Sequence, residues 1–155
     1  MEVKELGHVV LYVRSVERSA RFYRDVLGWQ QILPSGDGSG PSSVAVFSAP
    51  SGRTHHELLL IEVGEDAAGI PKGRRVGMYH FGLKVGDSDD ELREALAFLR
   101  ASGTKIVGTS DHCVTHSVYL LDPDGNEVEL YIDVPDVDWR ADPGLVGSPV
   151  RALRL

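Results

Sequence analysis

Leu6-Gly7-His8-Val9-Val10-Leu11-Tyr12-Val13 has a similar counterpart 72 positions later, which indicates an internal repeat. The copy consists of Met78-Tyr79-His80-Phe81-Gly82-Leu83-Lys84-Val85. In both stretches the side chains alternate with the period of two that is typical of a β-strand. Each stretch precedes a segment with helical periodicity, so the sequence predicts two repeats of one supersecondary unit.

The first repeat predicts the order β-α-β-β-β. Its helix has an apolar face with helical spacing and is expected to end at Gly28. The residues of this face are Val16, Ala20, Tyr23 and Leu27. The strands are predicted at residues 6–13, 29–33, 44–49 and 56–63. Residues 34–43, rich in glycine and serine, predict a flexible loop.

The second repeat predicts the same order. Its helix is expected to begin after Asp87-Ser88, a favourable N-cap, and to run to Gly103. The sequence Asp122-Pro123-Asp124-Gly125-Asn126 predicts a hairpin turn, and its acidic spacing is too short for a calcium loop. The strands are predicted at residues 78–85, 104–109, 115–121 and 126–133.

These elements predict an α+β fold in which two βαβββ modules form a curved mixed sheet around a metal-containing cavity. The length of 155 residues is typical of a single domain, residues 1–155. Within it we expect modules at about 5–64 and 76–134 and a C-terminal tail at 135–155.

Composition argues against several classes of protein. The hydrophobic fraction of 42% is enough for a buried core, and a net charge of −7 without a basic cluster predicts no nucleic-acid partner. Without a long apolar stretch we expect neither a membrane span nor a signal peptide. The single cysteine, Cys113, excludes an internal disulfide framework and a cysteine-based zinc site. We therefore expect a cytoplasmic protein.

Three residues predict a metal site. His8 and His80 occupy equivalent places in the two repeats, and strand parity sets both opposite the apolar face of their strands. In the last strand Glu129 lies opposite the face of Val128 and Leu130. Two histidines and one carboxylate are the ligands of a facial triad for a divalent metal.

The fourth strand of the first repeat predicts a further histidine in the cavity. Aligning Ile61-Glu62-Val63 with Ile132-Asp133-Val134 sets His56 on the cavity face and Glu57 on the apolar face. A carboxylate on a buried apolar face is costly, so a bulge that shifts this register stays open.

At this point the chain resembles the vicinal oxygen chelate superfamily, which includes glyoxalases, bleomycin-resistance proteins and extradiol ring-cleaving dioxygenases. The resemblance covers about residues 5–135 and rests on three motifs. The motifs are Gly7-His8-Val9-Val10-Leu11-Tyr12-Val13 with Phe22-Tyr23-Arg24-Asp25-Val26-Leu27-Gly28-Trp29, then Tyr79-His80-Phe81-Gly82-Leu83, then Asp122-Pro123-Asp124-Gly125-Asn126-Glu127-Val128-Glu129-Leu130-Tyr131. The last motif is specific for the superfamily and weak for any one activity.

Within the superfamily the chain is most similar to a small catechol 2,3-dioxygenase. This resemblance implies Fe(II), or otherwise Mn(II), held by His8, His80 and Glu129, whereas Ni(II) or Zn(II) would belong to the glyoxalase-like alternative below. The implied reaction is extradiol ring cleavage of a catechol-type aromatic diol with O2, as in aromatic catabolism. The catechol would bind the metal through both oxygens, and dioxygen would take another open position. A homodimer is common in the family.

The resemblance also implies catalytic residues beside the metal. His56 would act as acid and base, and Tyr119 matches a tyrosine ten residues before the glutamate ligand. A further active-site histidine would be His112 or His116, of which His112 is preferred. Tyr119 and this histidine would hydrogen-bond the substrate oxygens.

Two other functions remain open at the level of sequence, since a fold alone does not fix a function. A glyoxalase-like isomerase or lyase would use Glu57 as a fourth ligand, beside His8, His80 and Glu129, around Ni(II) or Zn(II). A non-enzymatic drug-binding protein would need no metal, and such members typically lack the ligands that are present here.

Overall fold

The computed structural model describes residues 1–36 and 38–155, which form two compact units, Met1–Ile70 and Pro71–Leu155. Each unit has the order β-α-β-β-β and one four-stranded mixed sheet. The predicted α+β fold class and the order of elements are confirmed. Asp37, within the predicted loop 34–43, lies outside the described residues.

The first unit is built on a sheet with the order β1-β4-β3-β2. The strands are β1 (Val9–Val13), β2 (Gln30–Leu33), β3 (Val44–Ser48) and β4 (Leu58–Glu62). Helix α1 (Val16–Arg21) continues into a π-helical turn, Phe22–Val26. The helix begins where Ser15 and Glu62 accept hydrogen bonds from the backbone N–H groups of Arg18 and Val16. At Gly28, as predicted, a φ of +73° ends it.

The core of the first unit lies between this helix and the sheet. Its buried residues are Leu11, Val13, Val16, Ala20, Tyr23, Ala45, Phe47, Leu58 and Leu60. The predicted helix face therefore packs as expected, except that Leu27 is half-buried. His8, just before β1, is exposed on the opposite side of the chain.

The predicted register of β4 is wrong by one residue. β1 and β4 pair in parallel with Val9 opposite Leu58, so Leu58 shares the buried face that was expected for Leu59. In the second unit the equivalent pair is Phe81 and Val128. Glu57, and not His56, is therefore the repeat counterpart of Glu127. Leu58 and its neighbours are apolar on both faces of the strand, so alternation does not indicate which face is buried. Packing against α1 determines the register instead.

Glu57 anchors the turn that precedes β4. Its carboxylate accepts hydrogen bonds from the backbone N–H of Ala49 (2.8 Å), the backbone N–H of Arg53 (3.1 Å) and the hydroxyl of Ser48 (3.2 Å). Burial opposes ionisation, but these hydrogen bonds outweigh it and lower the pKa of Glu57 below its ordinary value. The side chain is thus a structural acceptor in this unit.

The second unit repeats the sheet order as β5-β8-β7-β6. The strands are β5 (His80–Gly86), β6 (Ile106–Asp111), β7 (Thr115–Leu121) and β8 (Glu127–Asp133). Helix α2 (Asp89–Ala101) is capped by Ser88, whose hydroxyl accepts from the N–H of Glu91, as the sequence predicts. The buried core consists of Leu92, Leu96, Leu99, Val118, Leu120, Val128, Leu130 and Ile132.

The turn between β7 and β8 is organised by one buried carboxylate. Asp122 accepts hydrogen bonds from the N–H groups of Asp124 and Asn126 and from the side-chain amide of Asn126, all within 2.9 Å. Gly125 adopts a φ of +89°, which glycine tolerates best. This confirms the predicted turn and fixes Tyr119 opposite Glu129 in the hairpin.

The C-terminal tail follows β8 and returns to the edge of the same sheet. It contains a short 3-10 helix, Pro143–Gly147, and Arg151 forms an antiparallel bridge with Asp111. None of the helices in residues 1–36 and 38–155 has the length and apolar character that a membrane crossing requires.

Glu57→Gln is expected to lower the free energy of unfolding by about 1 kcal/mol at pH 7, because the amide loses the charge-assisted hydrogen bonds. The folded pKa of Glu57 lies below its unfolded value, so this stabilisation is present above that value and is lost as the pH falls through the folded pKa. Urea unfolding between about pH 3 and pH 7 measures it.

The difference in the free energy of unfolding between wild type and Glu57→Gln should become smaller at acidic pH. Glu94→Gln, an exposed position on α2, serves as the control and should change stability by less than about 0.5 kcal/mol. A wild-type advantage that persists unchanged at the acidic end would contradict the structural role of the carboxylate.

Candidate functional site

Three adjacent strands of the second unit bring a histidine, a carboxylate and a phenol together. Glu129 on β8 lies opposite Gly82 of β5 and opposite Tyr119 of β7. His80, two residues before Gly82, shares its face of the sheet. The Nε2 atom of His80 lies 3.2 Å from Oε2 of Glu129, and the rings of His80 and Tyr119 meet edge to face at 5.4 Å.

A hydrogen-bonded chain extends from Glu129 through Tyr119 to His112. The Tyr119 hydroxyl donates to Oε1 of Glu129 (3.0 Å), and Nε2 of His112 lies 2.7 Å from the same hydroxyl. A phenol carries one proton, so the hydroxyl oxygen accepts from His112. His112 is therefore protonated on Nε2 in this arrangement, and the chain is ordered from His112 to Glu129.

The surroundings of Tyr119 keep its proton in place. Burial, followed by the negative charge of Glu129 and the hydrogen bond to it, raises the pKa of the Tyr119 hydroxyl well above its ordinary value. At neutral pH the side chain is an O–H donor rather than a phenolate.

His112 owes its position to a strained turn between β6 and β7. Cys113 has a φ of +70°, which is uncommon for a residue with a side chain, and its N–H donates to the carboxylate of Asp111. The N–H of His112 donates to the carbonyl of Thr115, and the N–H of Val114 donates to the carbonyl of His112. Backbone strain of this kind is retained where the surrounding structure fixes it.

His116, the alternative to His112 in the sequence analysis, lies on the opposite face of β7. It shares the face of Val118, which lies in the core, and its Nδ1 atom lies 2.5 Å from the carboxylate of Asp89 at the start of α2. The structure therefore groups His112, and not His116, with Tyr119 and Glu129.

The remaining predicted residues, His8 and His56, lie near each other in the first unit. Their rings are 4.7 Å apart, and Nδ1 of His55 lies 2.6 Å from Nδ1 of His56. Desolvation, followed by the charges of His55 and His8, lowers the pKa of His56 below its ordinary value. His56 is accordingly a neutral imidazole at pH 7. It precedes β4, whereas the sequence predicts it within the strand.

The donor atoms of His80 and Glu129 fit a divalent metal. An imidazole nitrogen and a carboxylate oxygen lie 3.2 Å apart, and Gly82 beside them leaves space that a side chain would narrow. Within residues 1–36 and 38–155 no group of three or more histidine, cysteine or acidic residues is arranged to hold a metal ion. His8 belongs to the first unit, and its role as third ligand stays a prediction.

Sequence reasoning missed one carboxylate beside His80. Oε1 of Glu127 lies 3.6 Å from Nδ1 of His80, while Glu129 faces the other ring nitrogen. The parity of β8 puts Glu127 and Glu129 on one face, but only the pairing of β8 with β5 sets Glu127 beside His80.

Comparison with known proteins gives one family. The sequence model of the Glyoxalase/Bleomycin resistance protein/Dioxygenase superfamily matches residues 5–130. This span includes His80, His112, Tyr119 and Glu129 of the second unit, as well as His8 and His56 of the first.

Two curated relatives carry names that refer to catechol, one as a catechol dioxygenase and one as a metapyrocatechase. Catechol-2,3-dioxygenase of Bacillus subtilis (strain 168) is 38% identical over 141 residues, which cover 91% of this chain and 46% of that protein. Metapyrocatechase 2 of Cupriavidus necator is 31% identical over 133 residues, covering 84% and 37% respectively. The chain thus spans less than half the length of these two relatives.

A solved structure supports the fold. A glyoxalase/dioxygenase from Nostoc punctiforme superimposes with a TM-score of 0.66 and 22% sequence identity, over 84% of this chain and 91% of that chain. At this level of identity the likeness concerns the fold alone.

Gly82→Ala is expected to weaken metal binding by about tenfold, because the ligands lose their preferred positions. A Cβ at this position would lie 3.3 Å from Cε1 of Tyr131 and 3.5 Å from Oε2 of Glu129. Titration of the purified protein with Mn(II), followed by electron paramagnetic resonance, measures the affinity.

Gly108→Ala provides the matched control on β6, since a Cβ there meets nothing within 4 Å. It should retain the wild-type affinity. Equal affinities for the Gly82 and Gly108 variants would show that the space beside Glu129 has no bearing on metal binding.

Proposed function

The chain belongs to the glyoxalase/bleomycin resistance protein/dioxygenase superfamily, and on this premise we propose that it is a metal-dependent extradiol ring-cleaving dioxygenase for a catechol-type diol and O2. The main support for the proposal is the distance of 3.2 Å between Nε2 of His80 and Oε2 of Glu129. Tyr119 donates a hydrogen bond to the same carboxylate. The names of the two catechol-type relatives support the same class of reaction.

His80 and Glu129 are the first two metal ligands in this proposal. His8 is the third ligand in the proposal, because it occupies the place of His80 in the first repeat and because the family resemblance implies it. Fe(II) is the preferred metal, and Mn(II) is the alternative with the same ligand preferences. When bound, the metal supplies the chemistry with dioxygen that no side chain of the protein can perform.

Tyr119 and Glu129 act as one unit. The hydrogen bond from Tyr119 occupies Oε1 of Glu129, so the carboxylate presents Oε2 towards His80. The bond also holds the phenol in one orientation, with its oxygen accepting from His112. A substrate hydroxyl that enters beside Tyr119 meets a fixed array of polar groups, as required for precise positioning.

Proton handling is proposed for His112 and His56. His112 is the N–H donor in the hydrogen-bonded chain that runs through Tyr119 to Glu129. The pKa of His56 lies below its ordinary value, so the side chain is a neutral imidazole whose free ring nitrogen can act as the proton acceptor. The two histidines thus supply a donor and an acceptor.

The glyoxalase-like alternative receives less support. It requires Glu57 as a ligand, and this carboxylate is engaged by three donors of the turn before β4. To bind a metal it would have to release those hydrogen bonds, which are charge-assisted.

The experiment that tests the proposal is elemental analysis of anaerobically purified protein, combined with oxygen uptake on a panel of catechols. We expect about one iron or manganese per chain and uptake that depends on the catechol. His80→Ala should abolish metal binding at micromolar metal, whereas His116→Ala, on the opposite face of the sheet, should retain it. Nickel or zinc without oxygen uptake would contradict the dioxygenase proposal.

His56→Phe should retain the metal and lose turnover, because the ring volume is preserved while the proton acceptor is removed. Metal content and oxygen uptake are measured on the same preparation, with His116→Ala, which pairs with Asp89 on the opposite face of β7, as the control. Turnover at the wild-type rate in the His56 variant would exclude His56 from catalysis.

A further inference from the structure

The two ring nitrogens of His80 lie in different surroundings. Nε2 faces Oε2 of Glu129 at 3.2 Å. Nδ1 is buried and has no hydrogen-bond partner within the described part of the chain. The nearest carboxylate oxygen recorded beside it is Oε1 of Glu127, at 3.6 Å.

The sheet itself delivers both carboxylates to the imidazole. His80 lies directly opposite Glu127 in the parallel pair of β5 and β8, and Glu129 follows two residues later on the same face. The side chains of His80, Glu127 and Glu129 are 28%, 21% and 15% exposed, so water reaches them only in part. One carboxylate thus flanks each nitrogen.

A histidine that binds a metal must present a lone pair at one nitrogen and carry its proton on the other. If Nε2 faces the metal, the proton resides on Nδ1, and a buried N–H without an acceptor is costly. A displacement of about 0.7 Å would bring the Glu127 carboxylate to the usual N–H···O distance of about 2.9 Å.

We propose that Glu127 is a positioning residue for the metal site, accepting the Nδ1–H of His80 and so fixing the tautomer that presents Nε2. The inference rests on the proposed function only in taking His80 as a metal ligand. A carboxylate behind a ligating imidazole orients the ring and makes it a stronger donor. In the first unit the counterpart is Glu57, whose carboxylate is bonded to its own turn.

The test is metal affinity without substrate or turnover. Purified metal-free protein is titrated with Zn(II) and with Mn(II) alone, for wild type, Glu127→Gln and Glu127→Ala. We expect Glu127→Ala to weaken binding by about 10- to 100-fold, and Glu127→Gln by less, because its amide oxygen still accepts the Nδ1–H. Asp133→Asn is the matched control, since this acid on the same face of β8 pairs with Lys84 instead.

A second measurement reports the tautomer directly. Two-bond proton–nitrogen NMR of ¹⁵N-histidine-labelled protein with Zn(II) should show the His80 proton on Nδ1. In Glu127→Ala this proton should exchange with water faster, an effect that a general loss of packing would not confine to His80. Circular dichroism of the metal-free variants establishes that they fold.

The outcomes separate this inference from the proposed function. Unchanged affinity and exchange in both Glu127 variants would overturn the inference and leave the dioxygenase proposal standing. Weakened binding in protein that consumes no oxygen with any catechol would support the inference and count against the dioxygenase. Wild-type protein that binds neither metal would overturn both.

Discussion

The register of β8 is the constraint on which the second unit depends. Val128, Leu130 and Ile132 are buried, and each such side chain contributes about 1.5–3 kcal/mol when removed from water. A slip by one residue would expose all three and bury Glu127 and Glu129 in their place. The free energy that stabilises the sheet therefore also directs both carboxylates to the opposite face, and the Asp122 turn holds the same register from the end of the hairpin.

Pairing with the neighbouring strands brings the polar side chains of the site next to the carboxylates of β8. Pairing with β5 sets His80 beside the two carboxylates, and pairing with β7 sets Tyr119 opposite Glu129. In the first unit the position equivalent to Glu129 is Leu59, as the pairing of β1 with β4 shows. The two repeats thus share a backbone plan, but only the second has a carboxylate at this position.

The sequence predicted those parts in which periodicity carries information. The order of elements, the Ser88 cap, the Asp122 turn and the parity of β8 were predictable, because alternation and capping act locally. The register of β4 was not, since Leu58 and Leu59 are both apolar and period two gives no signal there. The preference for His112 over His116 came from the family resemblance, but no pattern indicates the positive φ of Cys113, which holds the turn of His112. The contact between Glu127 and His80 needed the interstrand pairing.

Anomalous X-ray diffraction from crystals of the protein grown anaerobically with Mn(II) would locate the metal directly. We expect an anomalous peak within bonding distance of both Nε2 of His80 and the carboxylate of Glu129. A saturated crystal in which the metal occupies another group, such as Asp89 with His116, and leaves the His80–Glu129 pair empty would contradict it.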